Sequence, residues 1–293
     1  MGTGNDTMKP ISRRSFMAGA SATAVAGMRA HIIIPKEVTF GLTPVFLDSD
    51  IQLLSDLERY LKEALHQDIR LVKRRTYQEI MSLLLPGLLD VAWICGYPYV
   101  RHKQSLSLVA TPLYQGKPLY RAYLIVKRDN PANTLEELRG HTHAFSDSDS
   151  NSGFLVTRHL LAEKKEAPDT YFRKTIFTLG HRNVIRAVAS GLADSGSVDG
   201  YVWDVMQETE PELVAATRVI RQSEPMGFPP IACAASMKDT AVTREITAAL
   251  MRMHEDDLGQ RILATLRLDG FQPSDPHLYD GIAERYEGIK GLV

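Results

Sequence analysis

The residue types best suited to binding chemistry are concentrated in one octet, Ser146–Gly153, which reads Ser-Asp-Ser-Asp-Ser-Asn-Ser-Gly. The octet follows a strand-like segment, His143–Ser146, and precedes a helical pattern. The first turn of a helix presents unpaired N–H groups and the positive end of the helix dipole, and Ser150, Asn151 and Ser152 add side-chain donors. The octet therefore predicts a cradle for a phosphate-like anion. An ordinary helix cap, in which Ser150 or Ser152 bonds its own helix, is the alternative.

The octet also imitates a calcium-binding loop, because Asp147, Asp149 and Asn151 stand at alternate positions. Position six of such a loop should be glycine and is Ser152. Position twelve should be glutamate and is Arg158. We therefore expect no calcium site in this segment.

Catalysis and metal binding find little support in the sequence. Ser152, His181 and Asp199 could serve as a nucleophile, a base and a group that orients the base, but the chain has no Gly-x-Ser-x-Gly turn and no phosphate-loop lysine motif. His141 and His143 stand on one side of a strand with no third ligand, and we interpret them as surface residues. We expect a binding protein rather than an enzyme, with no metal and no cofactor.

The elements that must position these residues alternate between strands and helices, which predicts an α/β fold with mostly parallel sheets. The patterns predict helices at 48–65 and 77–85 and strands at 37–42, 69–73, 89–95, 120–127, 143–146, 175–178, 196–201 and 230–235. Ligands of such sheets bind beyond the carboxyl ends of the strands. The unusual loops stand at those ends: Thr43–Pro44, Cys95–Tyr99, Ser146–Gly153, Gly180–Arg182 and Asp199–Tyr201.

The N-terminus is typical of an export signal. Ser12–Met17 carries a twin-arginine pattern, an alanine-rich run extends from Ala18 to Val25, and Ala24-Val25-Ala26 supplies the small residues that signal peptidase requires. We predict a signal peptide over 1–26, export by the twin-arginine route and a periplasmic mature protein. Without residues 1–26, 31 basic side chains face 34 acidic ones, and this net charge of −3 argues against nucleic acid as a partner. No other apolar run is long enough for membrane insertion of the mature chain.

Several segments resemble the phosphate-, phosphite- and phosphonate-binding periplasmic proteins of ABC importers. They are Phe40–Pro44, Ser150–Gly153, Gly191–Asp199, and Leu268–Phe271 with Tyr279-Asp280, and the resemblance runs from Val38 to Asp280. It implies a two-lobed periplasmic-binding-protein (Venus flytrap) fold whose lobes close on an oxyanion. Two hinge strands cross between the lobes near 119–126 and 222–231. Lobe 1 then comprises 31–118 and 232–293, and lobe 2 comprises 119–231.

The resemblance also implies ligand-binding residues. The family's Ser-Thr-Ser-Gly turn matches Ser150–Gly153, with Asn151 replacing threonine. A family histidine at a helix start matches His181, which can donate to an oxyanion whether neutral or charged. A strand-end carboxylate matches Asp199, which would accept from a protonated ligand oxygen or an amino group. The residues implied at the ligand are Thr43, Tyr97, Tyr99, Ser150, Asn151, Ser152, Gly153, His181 and Asp199, and the implied partner is an ABC permease.

Cys95 gives rise to the alternative function. It ends a buried-looking strand beside the predicted cleft, where its sulfur either packs as a small hydrophobe or faces the ligand. Arsenite-binding sensory proteins, a similar branch of the family, use a cleft cysteine and signal to a membrane histidine kinase, and a thiolate suits a thiophilic element. The alternative is therefore a sensor of arsenite or a related oxyanion. Whether Cys95 pairs with Cys233 stays open at this point.

Overall fold

The computed structural model describes residues 1–2, 37–43 and 51–291. Apart from its first two residues, the predicted signal peptide lies outside the described residues, as do Pro44 and the first three residues of the helix predicted at 48–65. The described residues from Glu37 onward belong to one compact unit. Among the described residues, no helix combines the length and the apolar character needed to cross a bilayer.

Strands and helices alternate through most of the described chain. The strands are β1 (Val38–Leu42), β2 (Ile69–Lys73), β3 (Val91–Trp93), β4 (Leu106–Leu113), β5 (Leu119–Tyr120), β6 (Ala122–Lys127), β7 (Thr142–Phe145), β8 (Lys174–Phe177), β9 (Ser195–Asp199), β10 (Thr217–Gln222), β11 (Met226–Gly227), β12 (Ile231–Ala234) and β13 (Gly270–Gln272). The helices are α1 (Ile51–Leu65), α2 (Tyr77–Leu84), α3 (Gly96–Arg101), α4 (Val156–Ala162), α5 (Pro168–Tyr171), α6 (His181–Ala189), α7 (Gly200–Thr209), α8 (Pro211–Ala215), α9 (Ala241–Met251), α10 (Asp257–Leu266) and α11 (Asp280–Ile289).

The strands form two large sheets, one in each lobe. The first lobe carries the sheet β13-β4-β12-β3-β1-β2, and the second lobe carries the sheet β10-β6-β9-β7-β8. Strand β1 runs parallel to β2 and β3, and β7 runs parallel to β8 and β9. The other pairs within these two sheets are antiparallel. The prediction of mostly parallel sheets is therefore wrong, because a buried strand has the same apolar pattern in either direction.

A short ribbon joins the lobes. In it, Met226 pairs with Tyr120 and Gly227 pairs with Leu119 in an antiparallel arrangement of β5 and β11. These strands lie where the sequence predicts the two hinge crossings, and the two-lobed α/β fold is confirmed. The lobe boundaries at 118, 119, 231 and 232 stay a prediction.

Local sequence signals explain why the helices beside the cleft begin where they do. Thr76 caps α2, since its hydroxyl accepts from the Glu79 N–H at 3.2 Å, and the Glu79 carboxylate accepts from the Thr76 N–H at 3.0 Å. This capping box fixes the first residue of α2, Tyr77. Helix α6 buries Val184, Ile185 and Val188, which lie on one face at a spacing of three and four residues.

His143 is buried in the second lobe, so its interpretation as a surface residue is wrong. Its Nδ1 and Nε2 each lie 2.8 Å from a hydroxyl, those of Ser195 and Ser197 on β9. The ring stacks on Phe172 with centroids 4.3 Å apart. Burial and the nearby His141 lower the pKa of His143 to about 3. Two serines at alternate positions of β9 therefore satisfy a neutral imidazole inside the lobe.

The approach of β9 to α6 gives a test of the fold. A Cβ on Gly196 would lie 2.5 Å from Val184 Cγ1 and 3.1 Å from Val188 Cγ2, whereas one on Gly281 would meet only Arg285 Nη1, the far end of a long side chain, at 3.3 Å. We expect Gly196→Ala to lower the free energy of unfolding by about 1–3 kcal/mol through overpacking. Gly281→Ala, in helix α11, should leave it unchanged or raise it by about 0.5–1 kcal/mol. Equal urea midpoints for the two variants would contradict this packing.

Candidate functional site

The predicted cradle is a capped π-helical turn. Ser150 is the N-cap of the turn Asn151–Leu155, and its Oγ accepts from the Gly153 N–H at 3.0 Å. The capping interpretation is therefore correct for Ser150. Ser152 behaves differently, because its Oγ is buried beside the Tyr120 hydroxyl and forms no hydrogen bond of normal geometry among the described residues. Ser150 thus stabilises the turn, and the Ser152 hydroxyl stays available to a ligand. Turns of π-helix are common at functional sites.

Gly153 allows two other residues to approach the turn. A Cβ at this position would overlap the Ser146 hydroxyl and lie 3.0 Å from His181 Cε1. No side chain fits there, so glycine is required by packing. The result is that His181, from a different element, lies directly against the cradle.

His181 begins α6 and is 2 % exposed. The turn before it places Leu179 at φ 59°, a left-handed conformation that costs energy for a residue with a side chain. The imidazole Nδ1 accepts from the Asp199 N–H at 3.0 Å, and burial lowers the pKa of His181 to about 3. The ring is therefore neutral with its proton on Nε2, which lies 3.5 Å from Ser150 Oγ.

Asp199 ends β9 and caps α7. Its Oδ1 accepts from the Tyr201 N–H at 2.9 Å and from the Val202 N–H at 3.4 Å. Burial, partly offset by these two hydrogen bonds, raises the pKa of Asp199 to about 8. Near neutral pH the carboxyl is therefore protonated, and it can donate a hydrogen bond as well as accept one.

Asn151 joins both lobes and the hinge ribbon. Its N–H donates to Cys95 Sγ of the first lobe at 3.3 Å, and its Nδ2 donates to the Tyr120 hydroxyl at 2.8 Å and to Met226 Sδ at 3.3 Å. These bonds fix the side-chain amide with its Oδ1 pointing away from them. That buried Oδ1 has no partner among the described residues.

Two tyrosines complete the site, and the sequence interpretation missed both. Tyr77 is 1 % exposed, and its hydroxyl has no partner among the described residues. Burial, followed by Cys95, Asp147, Asp199 and Tyr120, raises the pKa of Tyr77 well above its usual value, so the hydroxyl keeps its proton. Burial, followed by Cys95 and Asp199, does the same for the pKa of Tyr120. The capping box that makes Tyr77 the first residue of α2 is the signal that could have identified it.

Three predicted site residues have other surroundings. The Thr43 hydroxyl donates to the Trp93 carbonyl at 3.0 Å. Tyr97 lies against Tyr286 with ring centroids 5.5 Å apart, and Tyr99 lies against Tyr279 with centroids 5.0 Å apart. None of these contacts brings the three side chains into the group formed by Asn151, His181 and Asp199.

Cys95 lies beside the cradle as a protonated thiol. It is 2 % exposed, and burial raises its pKa to about 11. Cys95 and Cys233 are both free thiols, which answers the question of a disulfide between them. Within the part of the chain that the structure describes, no group of three or more His, Cys, Asp and Glu side chains could hold a metal ion.

The site is a buried group of neutral donors and acceptors with unused hydrogen-bonding capacity. Tyr77 OH, Asn151 Oδ1 and Ser152 Oγ are buried without partners among the described residues, next to His181 Nε2 and Asp199. Buried polar atoms without partners are rare in folded proteins, because each loses its hydration without compensation. This arrangement is suited to a small ligand that carries several oxygen atoms.

Comparison with known proteins supports this interpretation. A family model described as "ABC transporter, phosphonate, periplasmic substrate-binding protein" matches residues 40–279. The phosphonates-binding periplasmic protein of Escherichia coli K12 is 26% identical over 171 residues, which cover 56% of this chain and 50% of that protein. This chain thus spans half the length of that relative.

Two solved structures share the fold. PhnD1 from Prochlorococcus marinus MIT 9301, in complex with methylphosphonate, has a TM-score of 0.78 at 16% identity and covers 87% of this chain and 98% of its own. A binding protein component of an ABC phosphonate transporter from Pseudomonas aeruginosa has a TM-score of 0.77 at 18% identity and covers 86% of each chain. Because the family model matches most of the chain, this protein belongs to the phosphonate family of periplasmic substrate-binding proteins of ABC transporters.

Proposed function

We propose that this chain captures a small phosphorus oxyanion, a phosphonate, phosphite or phosphate, in the periplasm and delivers it to an ABC importer. The observation that carries the proposal is the group of buried polar atoms without partners: Tyr77 OH, Asn151 Oδ1 and Ser152 Oγ. An oxyanion between the lobes would give these atoms the hydrogen bonds that they lack. Membership of a family of binding proteins supports the same function.

The proposed recognition relies on neutral donors. His181 would donate from Nε2, because Nδ1 is occupied by the Asp199 N–H. Ser152 and Tyr77 would donate from hydroxyls, and the protonated Asp199 would donate from the oxygen that its two backbone bonds do not use. Asn151 Oδ1 is an acceptor, so it suits a ligand that brings a donor of its own, such as a P–OH group. A singly protonated phosphonate or phosphite offers both kinds of group.

The partner and the export route follow from the family and the N-terminus. Binding proteins of this family serve ABC transporters, so we infer a separate permease as the partner. The twin-arginine pattern at Ser12–Met17 supports export by the twin-arginine route. We place cleavage after Ala26.

The second candidate function, sensing of arsenite or a related oxyanion for a membrane histidine kinase, depends on Cys95. Its Sγ lies 3.3 Å from the Asn151 N–H and is therefore close enough to the cradle to contact a ligand. Against it, burial raises the pKa of this thiol to about 11, and the thiolate is the form that binds thiophilic elements. We therefore favour the importer protein.

The two serines of the cradle provide a matched test of the proposed function. Calorimetry of the mature protein with phosphate, phosphite, methylphosphonate, aminoethylphosphonate, arsenate and arsenite identifies the ligand. Ser152→Ala should then weaken binding of that ligand by about 1–3 kcal/mol, through loss of a bond to a charged group. It should raise the melting temperature of the empty protein, because alanine removes a buried hydroxyl that has no partner among the described residues. Ser150→Ala should instead lower the melting temperature, because the cap of the turn is lost. Unchanged affinity in Ser152→Ala would argue against the cradle.

The pKa of Asp199 predicts a pH dependence of binding. Because this pKa is raised to about 8, the carboxyl is neutral below that pH and ionised above it. An ionised Asp199 would repel the oxyanion, so the dissociation constant should rise by about tenfold per pH unit above pH 8. Asp199→Asn keeps an acceptor for the Tyr201 and Val202 N–H groups but does not titrate, so it should remove this part of the profile. If the pH dependence of binding is the same in the wild type and in Asp199→Asn, it arises from ionisation of the ligand and not of Asp199.

Cys95→Ser separates the two candidate functions. In the importer function the serine hydroxyl still accepts from the Asn151 N–H, so affinity for the phosphorus ligand should change by less than about threefold, with some loss of stability from burying a more polar group. In the sensory function the same change should abolish arsenite binding in a folded protein. Thiol titration of the denatured, unreduced protein should find two free thiols, and a finding of none would contradict the free state of Cys95 and Cys233.

A further inference from the structure

The first half of the sequence octet, Asp147–Asp149, contacts the opposite lobe. Asp147 Oδ2 accepts from the Tyr77 N–H at 3.3 Å, and Ser148 Oγ accepts from Gln78 Nε2 at 2.9 Å. Asp149 Oδ1 accepts from Arg101 Nη1 at 3.0 Å. Each of these three consecutive residues of the second lobe therefore bonds the first lobe, at the start of α2 or the end of α3.

The segment is held in the shape that makes these contacts possible. Asp147 Oδ1 accepts from the Asp149 N–H at 2.8 Å, and Asp147 O accepts from the Ser150 N–H at 3.0 Å. The carboxylate of Asp147 thus bonds its own loop with one oxygen and α2 with the other. Because Ser150 caps the cradle, the cradle and the interlobe contacts belong to one continuous turn.

The charges around the segment favour contact with the first lobe. The Asp149 side chain is 11% exposed and the Arg101 side chain is 45% exposed, so water reaches the ion pair mainly from the arginine side. Asp147 faces the Tyr77 and Asp149 N–H groups and the Asp149 carboxylate. The positive end of the α2 dipole also favours a carboxylate at this place. Arg101 is the cation that pairs with Asp149.

We propose that Asp147–Asp149 is a closure latch, and that Arg101 and Asp149 are positioning residues that set how long a bound ligand stays. This inference rests on the proposed function for its ligand but concerns a different step. Bonds that exist only when the lobes are together favour the closed state, with ligand or without it. A ligand enclosed between the lobes leaves only after they separate, so the latch acts on the rate of dissociation.

The kinetic test uses methylphosphonate as the probe and stopped-flow tryptophan fluorescence as the readout. Arg101→Gln and Asp149→Asn should each raise the dissociation rate constant by about three- to tenfold. The association rate constant should stay the same or rise, because the ligand enters through the open state that these variants populate more. The exchanged pair Arg101→Asp with Asp149→Arg should return the dissociation rate to within about twofold of the wild type. Arg139→Gln is the matched control, because it breaks the Arg139–Glu166 ion pair inside the second lobe.

A second measurement decides the proposal even if methylphosphonate does not bind. Spin labels on exposed Glu63 of the first lobe and Lys174 of the second report the distance between lobes in the empty protein and with the probe. We expect Arg101→Gln to shift the distribution to longer distances than in the wild type and in Arg139→Gln. Equal distributions, equal dissociation rates or failure of the exchanged pair would overturn the latch while leaving the proposed function in place. Failure of the wild type to bind any phosphorus oxyanion would overturn the function, and the distances in the empty protein would still test the latch.

Discussion

The hydrogen bond from the Asp199 N–H to His181 Nδ1 organises the site. It joins the end of β9 to the start of α6, and it fixes the imidazole as the neutral form with its proton on Nε2. The same residue, Asp199, caps α7 with its side chain. One residue, Asp199, therefore orients the imidazole with its backbone N–H and caps the next helix with its carboxyl. The close packing of His181 on Gly153 then places the cradle against this group.

The unpartnered polar atoms of the candidate site lower the stability of the empty protein. A buried polar atom without a partner costs about 1–3 kcal/mol, and Tyr77 OH, Asn151 Oδ1 and Ser152 Oγ are all in this condition among the described residues. By contrast, His143 has both ring nitrogens bonded to Ser195 and Ser197. The two buried histidines differ in their surroundings. The hydrogen bonds of His143 are all made within the protein, whereas His181 belongs to a group of polar atoms whose hydrogen bonds a ligand would complete. Single ring nitrogens without partners among the described residues also occur elsewhere, in His141 and His159. The grouping of three unsatisfied atoms at the candidate site is therefore the functional signal.

The sequence predicts the fold better than the site. Alternating patterns locate β2 and α2 to within one residue, because amphipathic segments and the cap at Thr76 are local features. The directions of the strands are not local, and β4 was missed. Ser150, Ser152, His181 and Asp199 each stand at the end of a strand or the start of a helix, which is why the sequence predicts them, and the structure brings them together. The structure also places Tyr77 and Tyr120 beside this group, whereas Tyr97 and Tyr99 contact Tyr286 and Tyr279. No local pattern predicts this difference, since which tyrosine of a buried segment faces the cleft depends on how the lobes pack.

The octet Ser146–Gly153 is short, so one continuous turn carries both the cradle and the contacts between the lobes. Its second half forms the cradle, and its first half bonds α2 and α3 of the other lobe. Tyr77 connects the halves, since its N–H bonds Asp147 while its hydroxyl belongs to the site. A movement that separates Asp147 from α2 must therefore also withdraw Tyr77 from the cradle. Each neutral donor binds an oxyanion more weakly than a cation would. In the proposed mechanism the ligand leaves only when the contacts between the lobes break together, so neutral donors are compatible with slow dissociation of the ligand.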